Sequence, residues 1–130
     1  SVVDVKKERN LFGSIKEFLN IKMASIHANI EYLSGGNQQK VVLGKWLIMD
    51  HLKVLLLDEP TRGIDVGAKH EIYKLINDLA NKGMAIVLIT SELPELLGLC
   101  DRIAVMKNGE ISGVLDKADM NQEMVMNYCI

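Results

Sequence analysis

Two short stretches of this sequence combine residue types that could handle a phosphate. The first is Leu33-Ser34-Gly35-Gly36-Asn37-Gln38-Gln39-Lys40, in which a hydroxyl, two glycines and a row of amides precede an apolar-periodic segment. Glycines let a backbone approach a ligand closely, and a helix start presents aligned N–H donors at the positive end of its dipole. We expect Ser34 to be an N-cap whose oxygen accepts from the first-turn N–H groups. By itself, the stretch fits either an anion site or an ordinary helix cap.

The second stretch places two carboxylates directly after an apolar run. Val54 to Leu57 are followed by Asp58, Glu59 and Pro60. Such a run is typical of a strand buried on both faces of a parallel sheet, and a proline ends it. Asp58 suits a hydrated Mg²⁺, and Glu59 could orient or deprotonate an attacking water. The alternative is a surface turn that happens to carry two acids.

The hydrophobic periodicity predicts the elements that would position these residues. Residues 1–32 are mostly helical by pattern, and a helix follows from Gly36 to about Met49, ending at Asp50 and His51. Asp65 caps a helix over 66–81 that stops at Gly83. The remaining elements are a second buried strand over 85–90, a short helix capped by Thr90 or Ser91 with Pro94 in its first turn, a strand over 103–106, an Asn108-Gly109 hairpin turn into a strand over 111–115, and a helix from Asp119.

This order of strands and helices indicates an α/β fold with right-handed crossovers. In such folds, ligands lie beyond the carboxyl ends of the strands. Asp58, Glu59, Thr90 and Ser91 all follow strands directly. We therefore expect these four residues to share one edge of the sheet.

Composition excludes several classes of function. The 130 residues carry a net charge of −2, with basic residues scattered among acidic ones, so we expect no nucleic-acid partner. Cys100 and Cys129 lack metal-ligand spacing, and His27 and His70 read as ordinary surface or core residues. No apolar run reaches the length of a membrane span, and no signal peptide is expected. The first residue is Ser, which is typical of a segment cut from a longer protein.

The ordered motifs resemble the nucleotide-binding domain of an ATP-binding cassette (ABC) transporter. Leu33 to Gly36, then Leu55 to Thr61, then Asp65 carry the resemblance, which extends from about residue 14 to residue 115. It implies a partial P-loop NTPase fold that lacks the Walker A strand. Residues 1–50 would be part of the helical signature subdomain and 51–130 the C-terminal part of the ATPase core. The implied cofactors are ATP and Mg²⁺.

The resemblance also assigns residue roles. The signature loop, which would bind the nucleotide, comprises Ser34, Gly35, Gly36, Asn37 and Gln38. Asp65 would be the D-loop aspartate that joins this site. Asp58 would be the metal carboxylate of Walker B, and Glu59 the catalytic base. Ser91 occupies the switch-loop position and is the third expected catalytic residue.

Three further stretches of the sequence resemble the second cassette of the fused double ATPases that power sugar importers. These stretches are Asn37-Gln38-Gln39-Lys40, Thr61 to Lys69 and Ser91 to Glu95. The importer types that they resemble most are the galactose/methyl-galactoside and ribose/xylose types. The implied partners are a second nucleotide-binding cassette, membrane permease subunits and, indirectly, a sugar-binding protein. The implied location is the cytoplasmic face of the cell membrane.

Three departures from the family pattern affect the expected activity. No G-x-x-x-x-G-K-[ST] loop occurs, so the residues that would cradle the β- and γ-phosphates are missing. The strand before that loop, the Q-loop and the adenine-stacking aromatic would all precede residue 1. Ser91 replaces the usual histidine and cannot polarise a γ-phosphate as an imidazole does. We therefore expect the isolated chain to be inactive.

Two alternatives remain open from the sequence. The chain could be a catalytically incompetent remnant that acts at most as an interaction module. The second alternative is a chromosome-maintenance or DNA-repair ATPase, which also carries a signature motif. The near-neutral charge of this chain and the sugar-importer-like sequences of its loops argue against it.

Overall fold

The computed structural model describes residues 4–49 and 51–130, so the predicted helix exit at Asp50 lies outside the described residues. Five α-helices, one short 3-10 helix and four strands are described in this part of the chain. In chain order they are α1 (Val5–Phe18), the 3-10 helix (Ile30–Tyr32), α2 (Gly35–Leu47), β1 (Val54–Asp58), α3 (Val66–Asn81), β2 (Ala85–Ile89), α4 (Leu93–Leu99), β3 (Arg102–Lys107), β4 (Glu110–Asp116) and α5 (Gln122–Cys129).

The chain divides into two compact units. The first comprises Ser1–Leu55 and Pro60–Ile86, and the second comprises Leu56–Glu59 and Val87–Ile130. The first unit holds α1, α2 and α3, and the second holds the hairpin of β3 and β4 with α4 and α5. The predicted boundary at residue 50, between a helical subdomain and an ATPase core, stays a prediction.

The prediction that residues 1–32 are mostly helical was wrong after Phe18, where α1 ends and only the short 3-10 helix Ile30–Tyr32 follows before α2. Helix α3, in contrast, follows its local signals closely. Helix α3 has the predicted bounds, with Asp65 accepting from the N–H of Ala68 at 3.0 Å and Gly83 at a φ of 90° just past its end. Its apolar residues Ile72, Leu75, Ile76 and Leu79 are buried. Helix α2 packs against α1 at Gly44, where an added Cβ would lie only 2.7 Å from Ile15 Cγ2. That glycine sets how closely α1 and α2 approach.

The first strand pair is parallel, as predicted. The N–H of Ala85 donates to the carbonyl of Lys53 at 2.9 Å, and the N–H of Glu59 donates to the carbonyl of Ile89 at 2.8 Å. Both strands therefore run in the same direction. β1 and β2 form a two-stranded sheet.

The prediction that β1 and β2 are buried on both faces was wrong. Leu55 and Leu57 are buried, but Leu56 between them is 68% exposed. On β2, Val87 and Ile89 are also exposed. Successive side chains of a strand point to opposite faces, and the described residues cover only one of the two faces.

In the second unit, β3 and β4 form the predicted hairpin. Asn108 and Gly109 both have positive φ, at 53° and 85°, and join strands paired from Arg102↔Asp116 to Lys107↔Glu110. The described residues pair β3 with β4 and not with β2, so β3 does not extend the parallel sheet as the strand–helix order suggested. The core of this unit consists of Ile103, Val105, Leu115 and Val125.

The cap of α4 also differs from the prediction. Its N-cap is Glu92, with no side-chain cap bond, whereas Thr90 or Ser91 was expected. The Thr90 hydroxyl instead accepts from the N–H of Glu92, the N-cap residue itself, at 3.0 Å, so this bond lies before the helical N–H groups that a cap satisfies. Pro94 lies in the first turn as predicted. No helix within 4–49 and 51–130 has both the length and the apolar character needed to cross a membrane.

Candidate functional site

The start of α2 is not capped by the side chain of its own N-cap residue. Ser34 occupies the N-cap position, but its side chain makes no cap hydrogen bond, so the expected capping role of its oxygen was wrong. The hydroxyl oxygen instead accepts from Asn37 Nδ2 at 2.8 Å. Because the Ser34 hydroxyl oxygen accepts from Asn37, it does not accept from the first-turn N–H groups of α2. They remain suited to an anion.

The two glycines of the stretch have different environments. Gly35 is exposed, and an added Cβ would meet only the carbonyl oxygen of Gly63, at 3.9 Å. Gly36 is buried, and its added Cβ would overlap the Cβ of Ala68 on α3. Gly36 therefore permits close approach of α2 and α3. A sequence pattern that marks glycine next to a phosphate gives no sign of this packing role.

Replacing Gly36 with Ala should destabilise the chain by about 1–3 kcal/mol, because the added methyl overlaps Ala68 in a packed contact. Gly35→Ala is the matched control and should cost less, since its methyl meets only the Gly63 carbonyl oxygen, at an ordinary van der Waals distance of 3.9 Å. Both glycines lie in α2, so the helix-propensity gain is similar. Urea unfolding of both variants and of the double variant Gly36→Ala/Ala68→Gly measures the effect. Equal stability of the two single variants, or no recovery in the double variant, would contradict the close approach.

A cavity of about 250 Å³ joins the starts of α2 and α3. Ser34, Gly36 and Asn37 line it from α2, and Asp65 lines it from the start of α3. The other lining residues are Lys22, Gly67, Ala68 and Glu71. The structure thus brings together predicted site residues that are about 30 positions apart in sequence. Gln38 is used differently, since its Nε2 donates to the carbonyl of Leu33 at 2.9 Å.

An ion pair between a buried lysine and an exposed glutamate connects the same two helices and was missed by sequence reasoning. Lys40 on α2 is 3% exposed, and its Nζ contacts Glu71 Oε2 on α3 and the carbonyl of Asn20 at 3.1 Å. The hydrogen bond from Lys40 lowers the pKa of Glu71 below its ordinary value of 4.5, against an opposing desolvation effect. The only available signal was a lysine within an apolar helix, which more often points to solvent.

In the second unit, Glu59 is held next to Ser91. The N–H of Ser91 donates to Glu59 Oε1 at 3.0 Å, and the Glu59 N–H bonds to Ile89. Glu59 adopts a φ of 45°, in the left-handed region that non-glycine residues rarely occupy. Such a conformation costs about 1–3 kcal/mol and is common at functional sites. The interaction brings the predicted base and the predicted switch-loop residue together.

Asp58 is exposed at the carboxyl end of β1. Within residues 4–49 and 51–130, no group of three or more His, Cys, Asp or Glu could hold a metal ion. Mg²⁺ commonly takes one or two protein carboxylates and completes its shell with water and substrate phosphates. A single exposed Asp58 therefore fits Mg²⁺ bound together with a nucleotide and does not fit a closed protein site.

The chain has clear relatives. It is 52% identical over 127 residues to ribose/galactose/methyl galactoside import ATP-binding protein 1 of Agrobacterium fabrum, and 56% identical over 128 residues to arabinose import ATP-binding protein AraG 1 of Burkholderia cenocepacia. Each alignment covers 98% of this chain. This chain is a member of the ATP-binding cassette family. No protein-family model matches it.

Solved structures agree with this assignment to the ABC family. A nucleotide-free cassette from an ABC transporter superposes with a TM-score of 0.79 at 26% identity, covering 96% of this chain and 47% of that one. The dimeric cassette MJ0796 gives 0.76 at 21% identity, covering 90% and 50%. The α/β cassette fold expected from the motifs is confirmed. The chain spans 25% of the length of these curated relatives. Arabinose, which the name of one relative includes, is not among the sugars that the sequence led us to expect.

Proposed function

We propose that this chain is the C-terminal part of the second cassette in an ABC sugar importer, where ATP hydrolysis is coupled to monosaccharide uptake. The names of the relatives support this proposal, since they are import ATP-binding proteins for ribose, galactose, methyl galactoside and arabinose. Residues 1–50 would supply part of the helical subdomain and 51–130 part of the ATPase core. The partners would be a second cassette and membrane permease subunits at the cytoplasmic face, with a sugar-binding protein acting indirectly.

The observation that carries the proposal is the cavity shared by the start of α2 and Asp65. Ser34, Gly35 and Gly36 would contact the γ-phosphate of ATP bound to the partner cassette, with Asn37 and Gln38 in the same loop. Ser34 and Gly35 are exposed, and the first-turn N–H groups are not taken by the Ser34 side chain. An exposed hydroxyl and open backbone donors at a helix start match an anionic group that arrives from another domain.

Asp58, Glu59 and Ser91 would serve the nucleotide site of their own cassette. Asp58 would hold Mg²⁺, which neutralises phosphate charge when it is bound with the nucleotide. Glu59 would accept a proton from the attacking water, and its carboxylate is already oriented by the N–H of Ser91. The phosphate-cradling loop would come from sequence outside these 130 residues.

The test is ATP turnover and sugar transport by the full-length protein that contains this segment. Ser34→Arg should lower both by about tenfold or more, because a bulky cation replaces a small donor at the phosphate contact. Ser14→Arg, an exposed serine on α1, is the matched control and should leave both near wild type. Unchanged turnover and transport in Ser34→Arg would overturn the trans contact.

One observation favours the second candidate, a nucleotide-free interaction module. Val54, Leu56, Val87 and Ile89 expose between 47% and 68% of their surface, which favours association of a chain used alone. Mg-ATP titration of the 130-residue chain separates the two candidates. We expect no binding by the chain alone; affinity in the micromolar range would argue against the interaction module.

A further inference from the structure

Asn37 is held at both ends of its side-chain amide. The backbone N–H of Lys22 donates to Asn37 Oδ1 at 2.8 Å, and Asn37 Nδ2 donates to Ser34 Oγ at 2.8 Å. These bonds connect the loop after α1, the first turn of α2 and the residue before α2. Asn37 is therefore committed to partners within this chain.

The donor at Lys22 fixes which way the amide points. A backbone N–H can only donate, so the Asn37 atom that faces Lys22 must be the carbonyl oxygen. The NH₂ group must then face Ser34. This orientation follows from the chemistry of the Lys22 partner and does not depend on telling oxygen from nitrogen in the amide.

The orientation of Asn37 determines what Ser34 can do. A serine hydroxyl has one hydrogen to donate and two lone pairs that accept. The NH₂ of Asn37 has only hydrogens to offer, so the Ser34 oxygen accepts and its own hydrogen is not used in that bond. Within residues 4–49 and 51–130, the Ser34 hydroxyl donates to no acceptor, and the residue is exposed. Ser34 is thus left as an outward donor.

We propose that Asn37 is a positioning residue that makes Ser34 a hydrogen-bond donor toward a phosphate oxygen. The inference rests on the proposed contact between Ser34 and ATP of the partner cassette. A phosphate oxygen only accepts, so a serine whose hydrogen points inward would present lone pairs and repel it. The relay from Lys22 through Asn37 to Ser34 prevents that arrangement. Asn37 acts through Ser34 and does not touch the nucleotide.

Asn37→Asp reverses the relay with almost no change in shape. The introduced carboxylate still accepts from the Lys22 N–H, but its second oxygen faces Ser34 as an acceptor and draws the hydroxyl hydrogen inward. ATP turnover of the full-length protein should fall about ten- to a hundredfold, the factor associated with losing a hydrogen bond to a charged group. Gln39→Glu makes the same amide-to-carboxylate change two residues later and controls for the added charge. It should change turnover by less than about threefold.

A double-mutant cycle with Ser34→Ala identifies the route of the effect. If Asn37 acts through Ser34, Asn37→Asp adds nothing once the hydroxyl is gone. Independent effects, or wild-type turnover in Asn37→Asp, would overturn the inference while the Ser34 contact stands. If Ser34→Ala itself leaves turnover unchanged, the proposed function fails at this residue and the inference fails with it.

Hydrogen exchange of the 130-residue chain tests the relay without any activity. The side-chain NH₂ of Asn37 should exchange about three- to tenfold more slowly than that of the exposed Asn77, because one of its hydrogens is bonded. Ser34→Ala should remove this protection. Equal exchange at Asn37 and Asn77 in the unmodified chain would overturn the relay, even if Asn37→Asp proved too unstable to assay.

Discussion

Glu59→Gln should lower ATP turnover of the full-length protein about 10²- to 10⁴-fold and leave the fold unchanged. A general base contributes a factor of this size, and an amide cannot accept the proton of the attacking water. The amide oxygen of Gln can still accept from the Ser91 N–H, which now bonds to Glu59 Oε1 at 3.0 Å. Residue 59, whose φ is 45°, also stays a non-glycine residue in this variant, so its backbone strain is unchanged. Steady-state turnover and thermal unfolding measure the two parts of the prediction.

The matched control is Glu110→Gln, an exposed carboxylate at the start of β4. It removes the same charge in the same unit, away from Ser91, and should alter neither turnover nor stability appreciably. Turnover in Glu59→Gln that equals turnover in Glu110→Gln would exclude Glu59 as the base. Loss of turnover with a matching loss of stability would instead indicate that the bond to Ser91 is structural.

Features that depend on neighbouring residues were predictable from the sequence. The bounds of α3, its Asp65 cap and the Asn108-Gly109 turn all appear as expected. Each is set by side-chain hydrogen bonding or backbone freedom within a few residues. The order of the phosphate-related motifs also gave the family correctly.

Features that depend on distant residues were not predictable. Gly36 resembles a phosphate-loop glycine in sequence, but its burial is set by Ala68, 32 positions later. The exposure of Leu56 depends on which elements cover β1, and no local pattern encodes that. Ser34 was expected to cap α2, but its hydroxyl oxygen accepts from Asn37 Nδ2 instead of from the backbone. Residue type alone does not show which of these two donors the hydroxyl takes.

Lys40 is the residue whose environment differs most from the one that its type suggests. Lysine is almost never fully buried without a partner. Here the partners of the Lys40 ammonium are the Glu71 carboxylate and the carbonyl of Asn20. The ammonium group joins α2 and α3, and its partner Glu71 lines the cavity that carries the proposed phosphate contact. We therefore expect this pair to fix the relative position of the two helix starts.

Lys40→Ala should destabilise the chain by about 2–4 kcal/mol, through loss of the buried stem and of the ion pair. The value lies at the lower end for a broken buried pair because the Glu71 side chain, at 44% exposure, can regain water. Lys40→Met keeps the stem and should recover part of the loss. Lys45→Ala, at an exposed position of the same helix, should cost less than about 0.5 kcal/mol. Urea unfolding at neutral pH compares the variants.

The pH dependence separates the charge from the packing. Lys40 lowers the pKa of Glu71 in the folded chain, so the stabilisation is fully present above the ordinary value of 4.5 and is lost as pH falls through the lower folded pKa. The difference in free energy of unfolding between wild type and Lys40→Met should therefore shrink below about pH 4.5. The difference between Lys40→Met and Lys40→Ala comes from packing and should stay constant. A wild-type advantage over Lys40→Met that persisted undiminished in acid would show that the ion pair does not stabilise the contact of α2 with α3.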